Sequence, residues 1–232
     1  MRSYEKLFEG FAKAAFDYEA LIQKGLYKMG FANTTKTAGS TNRADVVFTH
    51  KGKEHNLEIG KVGKDFAQGK VHWRGKKWYA DTKNSKTITD YLQTLTYDDD
   101  LMNHWGPISL GKKTEAQVTS DMRVKQARTG GDLYLTDIDP DIIAKYYADK
   151  GVYYIQVDGH GAFHLGKNPA RLPLPYFACA PEIRFRSNKG YGGGKFDTTW
   201  AIKIPKSSLP SSPYTFDPTD TQRKGPAEFL KK

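Results

Sequence analysis

Two apolar runs, ADVVFTH at 44–50 and EHNLEIGKV at 54–62, flank a three-residue Lys51-Gly52-Lys53 turn, and this pattern restricts the fold strongly. β-branched residues and Phe48 favour an extended backbone in the first run. The short, glycine-containing break then returns the chain as a second strand, so the pair reads as a hairpin. Each run also carries a carboxylate among apolar neighbours, Asp45 and Glu58, thirteen positions apart. Acidic residues are depleted within strands, so their presence here asks for a reason.

Upstream, Tyr4, Leu7, Phe8, Phe11, Ala15, Tyr18 and Ile22 recur at helical spacing, which predicts an amphipathic helix with one buried face. Ser3 is its expected cap and Gly25 its expected stop. NTTKTAGSTNR at 33–43 reads as a polar loop or ragged strand leading into the hairpin. After the hairpin, GKDFAQGKVHWRGKKWYAD predicts a short helix around Asp65 to Gln68, then an aromatic hairpin turning at Arg74-Gly75. Helices are predicted over 88–105 and 114–128, and over DPDIIAKYYADKG, where Asp139 caps, Pro140 opens the first turn and Gly151 stops. VYYIQVDG, GAFHLG, EIRFRS and FDTTWAIKIP follow as strands. The order of helix, strands, helices and strands, without a fixed internal period, predicts an α/β fold with a mixed central β-sheet flanked by α-helices. The expected organisation is a single domain over 1–210, with its core at 4–80 elaborated by 81–210. An extended or partly disordered Pro/Ser/Thr-rich tail over 211–232 would follow.

The chain has 36 Lys and Arg against 26 Asp and Glu, a formal charge of +10, which favours a polyanionic partner such as nucleic acid over a neutral one. One cysteine, Cys179, excludes an internal disulfide and any multi-cysteine zinc site, and its small apolar neighbours predict a packed thiol. No apolar stretch is long enough for a signal segment or a membrane span, so a cytoplasmic protein is expected.

Hydrolysis of a phosphodiester calls for a divalent cation, and Mg2+ is typically held by one or two carboxylates, water and phosphate oxygens. Asp45 and Glu58 can supply the carboxylates, and the backbone carbonyl of Ile59 can add a further oxygen. A nearby lysine would orient or deprotonate the attacking water, and Lys61 and Lys64 are the candidates. The competing interpretation is two ordinary strands whose carboxylates face solvent.

These residues carry a resemblance. The initial helix, AGSTNRADVVF, a turn, LEIGK and then DFAQG are similar to the PD-(D/E)xK nuclease superfamily of the restriction-endonuclease-like fold, over residues 4–80. That superfamily orders a helix, an Asp-bearing strand, a (D/E)xK strand and a helix. YYIQVDGHGAFHLGKNPARLPLPYF is similar to segments of phage-type members. The resemblance implies a metal-dependent DNA nuclease using Mg2+, or Mn2+ in its place, with a role in phage DNA processing in the host cytoplasm. DNA is the expected partner, and self-association is left open. Asp45 and Glu58 match the acidic positions, and Gln68, expected to position the water or the scissile phosphate, stands where relatives carry a helix glutamine, although His72 replaces the tyrosine of their pattern. Glu19, in preference to Glu5, would complete the carboxylate set. The motif's lysine position is Gly60, on the same strand face as Glu58, whereas Lys61 alternates to the other. Lys61 could serve only through a bulge at Gly60; otherwise Lys64 reaches back or catalysis is lost, leaving a DNA-binding or interaction protein.

For nucleic-acid contact, KVHWRGKKWY places Trp73 among Lys70, Arg74, Lys76 and Lys77, and Arg184, Arg186 and Lys189 alternate in a later strand. Inward-packed aromatics with lysines outward are the alternative for the first cluster. YGGGKF at 191–196 lacks the first glycine and the Ser or Thr of a phosphate loop. HGAFH is weak metal spacing on a turn or strand, and the adjacent carboxylates of YDDD point in different directions on a helix.

Overall fold

The computed structural model describes residues 17–36, 44–63, 65–74, 77–80, 86–94, 132–189 and 196–225. Ser3, Glu5, the helix read at 114–128, YDDD, Lys64, Lys76 and most of YGGGKF lie outside them. The chain divides into two compact units, one of Met1–Val62, Lys150–Ala178 and Leu209–Lys232, the other of Gly63–Asp149 and Cys179–Ser208.

In the first unit, α1 (described over 17–28) precedes β1 (Ala32–Lys36), and the hairpin forms as expected from β2 (Val46–His50) and β3 (Lys53–Gly60). β7 (Val152–Val157) and β8 (Gly161–His164) complete a five-stranded sheet in the order β1-β2-β3-β7-β8. β3 and β7 run parallel and every other pair antiparallel, so the sheet is mixed and the fold α/β. Strict alternation sends Val46, Phe48 and Leu57 to one face, where they pack with Ile22 and Leu26 of α1. The interior strand β7 buries Val152, Tyr154, Ile155 and Val157 completely, which is why VYYIQV reads as a continuous apolar run rather than an alternating one.

Gly25 does not stop α1. The helix continues to residue 28, and the left-handed residue that closes it is Gly30, with φ 87°. Gly25 is glycine for space: a Cβ there would stand 2.3 Å from the Phe216 carbonyl oxygen. Residues 209–225 accordingly belong to this core, with Phe216 fully buried and ring contacts to Phe31 and Phe48. Gln156, 1% exposed, holds that segment down: its Oε1 accepts the Phe216 N–H at 2.8 Å and its Nε2 donates to Thr215 Oγ1 at 3.2 Å.

The second unit contains an all-antiparallel sheet in the order β5-β4-β10-β9-β6. Its strands are β4 (Ala67–Arg74), β5 (Lys77–Ala80), β6 (Asp132–Leu135), β9 (Glu182–Lys189) and β10 (Phe196–Lys203). Ile183, Phe185, Trp200 and Ile202 form a buried face, and Tyr146 of α3 (Ile142–Ala148) meets Trp200 edge-on with centroids 5.7 Å apart. α2 (Lys86–Thr94) is the described part of the helix read at 88–105. Asp139 accepts the Asp141 N–H through its side chain at 2.9 Å and also pairs with Lys145, so it secures the start of α3 from two residues before the N-cap, Asp141. Gly151 follows with φ 69°, the stop that was expected.

The short helix expected around Asp65 to Gln68 is absent. Phe66 N–H donates to Ile202 O at 2.9 Å and β4 starts at Ala67, because pairing along β10 satisfies the backbone that one helical turn would leave largely unbonded.

Candidate active site

The β2–β3 register pairs Val46 with Leu57, and one step further along it Asp45 stands across from Glu58. Residues opposed across an antiparallel pair share a face, so the two carboxylates occupy the side of the sheet away from α1. Asp45 Oδ2 accepts the Ile59 N–H at 2.9 Å, continuing with a side chain the pairing that β2 leaves off at Val46. The N–H and C=O of a strand residue point the same way, and Gly60 O is turned to the other side to accept the Asp158 N–H at 3.0 Å. The Ile59 carbonyl therefore points to Asp45's side. Of the sequence-predicted residues, Asp45 and Ile59 are joined by that hydrogen bond, and Glu58 precedes Ile59 on β3.

Gly60 is not a bulge. Leu57, Glu58, Ile59 and Gly60 pair in step with Tyr154, Ile155, Gln156 and Val157, and the irregularity in this pairing falls earlier, between Asn56 and Leu57. Lys61 consequently alternates to the α1 face, where its ammonium lies 5.7 Å from the centroid of the Tyr18 ring. Tyr18 receives the Gln156 Nε2 hydrogen bond at 3.4 Å on its hydroxyl, and burial, followed by the charges of Asp158 and Asp217, raises its pKa. Sequence reading missed this Tyr18–Gln156–Lys61 group, since its members come from three separated segments with no shared spacing. Glu19 lies on α1 three and seven residues before the buried Ile22 and Leu26, hence on the helix stripe toward the opposite sheet face from Glu58. Among the described residues no group of three or more His, Cys, Asp or Glu side chains is arranged to hold a metal.

Gln68 belongs to the other unit, on a strand rather than a helix. There it enters an ordered polar face. Gln68, Ala201, Arg184 and Tyr134 lie in one cross-strand row, and Lys70, Thr199, Arg186 and Asp132 in the next. Arg186 grips Asp132 with both ends of its guanidinium, Nε to Oδ1 at 2.7 Å and Nη2 to Oδ2 at 2.6 Å, and that hydrogen bonding holds the Asp132 carboxyl below the usual range. Arg184 Nη2 reaches Asp65 at 3.0 Å, and Lys203 reaches the same carboxylate at 3.2 Å. Two of the arginines read as nucleic-acid ligands are thus already met by carboxylates. In the β4–β5 hairpin, Trp73 pairs with Trp78 and Arg74 with Lys77 across the strands; Lys189 pairs with Phe196 at the end of β9.

Among solved structures, the chain is similar to HhaI endonuclease in complex with DNA. The likeness has a TM-score of 0.48 at 10% identity and covers 83% of this chain and 92% of that one. No family model matches the chain, and no curated protein does.

Cys179 is the packed thiol expected: burial pushes it up to about 12, far from a nucleophile's range. No helix among the described residues is long and apolar enough to cross a membrane.

Proposed function

We propose that this chain is a metal-dependent DNA phosphodiesterase whose centre is the strand end of Asp45, Glu58 and Ile59. The observation that carries this reading is the hydrogen bond from Ile59 N–H to Asp45 Oδ2 at 2.9 Å, which ties the Asp45 carboxylate to the strand that carries Glu58. The donor set is all oxygen, with two carboxylates and a carbonyl, and suits Mg2+ or Mn2+, which need only one or two protein carboxylates when water and phosphate supply the rest. Bound there, the ion would polarise the scissile phosphate and lower the pKa of a water. Asp45 and Glu58 would hold it, and the Ile59 amide fixes one oxygen of the Asp45 carboxylate. Lys64 is assigned the water-orienting ammonium, because Lys61 faces Tyr18. Gln68 and Lys70, with the face they share, would contact the DNA backbone, as would Trp73, Arg74, Lys76, Lys77 and Lys189. Glu19, on the stripe toward the other sheet face, is not assigned to the metal.

A second reading, a DNA-binding protein that no longer cuts, is favoured by one feature: the regular pairing at Gly60 leaves no lysine on Glu58's face at the motif position. Assays on linear, circular, branched and single-stranded DNA with and without Mg2+ separate the two. Mg2+-dependent cleavage abolished by Asp45→Ala or Glu58→Ala supports the enzyme. Cleavage that survives either change removes this centre, and salt-sensitive binding without any cleavage establishes the second reading.

A further inference from the structure

The outer face of α1 and the turn of the β2–β3 hairpin carry charge that neither carboxylate centre nor ion-pair network uses. Lys24, Tyr27 and Lys28 are exposed and sit at i, i+3 and i+4, neighbours on one helix face. Tyr27 is 71% exposed, more than any other large apolar side chain described. α1 ends at the hairpin's turn, for Phe31, which follows it, contacts the His50 ring at 5.5 Å, and Ala32 pairs with Thr49. Lys51 and Lys53 bracket that turn, both exposed. Lys53 alternates with His55 and Leu57 toward the face that carries α1, so it adds to the same side. Among the described residues none of these four lysines joins an ion pair, in contrast to Arg184 and Arg186. The described acidic neighbours do not compensate them: Asp17 lies about 10 Å away by helical rise, Glu19 is on the inward stripe, and Glu54 alternates to the opposite sheet face. On the segment packed against Gly25, Asp217 is engaged by Tyr18 and Thr219, and Asp220 by Arg223.

We infer that this face binds a single-stranded segment of nucleic acid, with Lys24, Lys28, Lys51 and Lys53 on successive phosphates and an unpaired base stacked on Tyr27. Four uncompensated cations select a polyanion. An exposed phenol among them adds what a phosphate surface alone does not need, a flat partner for a base, and stacking tolerates any sequence. A duplex offers its phosphates but keeps its base faces covered. The binding is independent of the Asp45–Glu58 centre and stands whether or not the chain cuts.

The test is fluorescence anisotropy of the full chain in EDTA, with an oligothymidylate and a blunt duplex of matched length, across a salt series. Lys24→Gln with Lys28→Gln, and Lys51→Gln with Lys53→Gln, are each expected to flatten the single-strand salt dependence, by up to about 0.7 in slope per lysine removed. Tyr27→Ala is expected to weaken oligothymidylate binding by about 5- to 100-fold with the slope unchanged, to leave duplex binding as it was, and to be rescued by Tyr27→Phe. Unchanged slopes in both lysine pairs overturn the inference, as does a Tyr27→Ala effect that is absent or equal on the two nucleic acids. Tighter association with phosphatidylserine vesicles than with oligothymidylate would assign the face to lipid instead and overturn it too. Mg2+-dependent cleavage, read separately on the same proteins, reports on the carboxylate centre alone.

Discussion

The Asp45 carboxylate hydrogen-bonds the Ile59 amide at 2.9 Å, so the residue that opens the hairpin's first strand also caps the pairing of its second. Asp45 therefore has a structural role beside the metal-holding role proposed for it, and substitution can separate the two. Asp45→Asn keeps a side-chain oxygen for the amide and removes the charge; Asp45→Ala removes both. Cleavage is expected to fall at least about 100-fold in either variant, since loss of even an outer metal partner costs that order. Urea unfolding is expected to show Asp45→Ala destabilised by about 1.5–3 kcal/mol, with Asp45→Asn closer to the parent.

The lysine question has a sharp form because position 60 shares Glu58's face and Lys61 does not. Gly60→Lys is expected to raise Mg2+-dependent cleavage, its aliphatic stem lying along the sheet while the ammonium reaches outward. Lys61→Ala is expected to leave cleavage unchanged. A large loss in Lys61→Ala, measured in initial rates, would return water handling to Lys61.

Gly25 packs its Cα against the 209–225 segment, and the Cβ of Gly25→Ala would meet the Phe216 carbonyl at 2.3 Å. Backbone cannot rotate aside as a flexible side chain can. The substitution is expected to destabilise by about 1–3 kcal/mol, despite alanine's better helix propensity, and to appear as a lowered melting temperature.

What the sequence disclosed and what it hid divide along sequence separation. The hairpin and the strands β4, β5, β7, β8, β9 and β10 rest on local alternation and turn chemistry, which are written in adjacent residues, whereas β6, four residues long, is not legible there and β1 reads only as a polar loop or ragged strand. Gly25 looked like a helix stop because only the fold brings Phe216 against it. The helix expected at Asp65–Gln68 yielded to β10, more than a hundred residues away in sequence. Arg184 and Arg186 looked like a basic strand face because their partners, Asp65 and Asp132, are 119 and 54 residues distant. Charge alternation can be read from a strand; its neutralisation cannot.

Asp132 is the test of that neutralisation. Asp132→Asn is expected to cost about 1–3 kcal/mol of stability, because Arg186 loses its two-pronged carboxylate partner and Arg184, with only 12% of its side chain exposed, keeps Asp65 at 3.0 Å but loses the second carboxylate, at 3.9 Å. The same change releases Arg186, whose side chain is 43% exposed, toward solvent. Duplex DNA affinity should then rise and its salt dependence steepen by about 0.9 for one added phosphate contact. Titration of the variant and parent across a salt series reads this directly.

Acid should weaken the fold through its histidines. Burial lowers the pKa of His50, His55 and His164 below the ordinary value of 6.5, with Lys51 adding to the effect at His50 and His50 to that at His55. The unfolded chain then takes up these protons at higher pH than the folded one does, so the stability they contribute is fully present above about 6.5 and is lost as pH falls below it. His55 is 7% exposed, and its ring lies 5.4 Å from Phe48 and 6.0 Å from Tyr154, so protonation there places a charge among aromatic side chains of the core. Urea midpoints followed downward from neutral pH are expected to drop with a slope of up to about 1.4 kcal/mol per pH unit for each proton taken up. His55→Phe keeps the aromatic packing and should remove close to one proton from that slope; an unchanged slope in this variant would show that His55 does not titrate on unfolding.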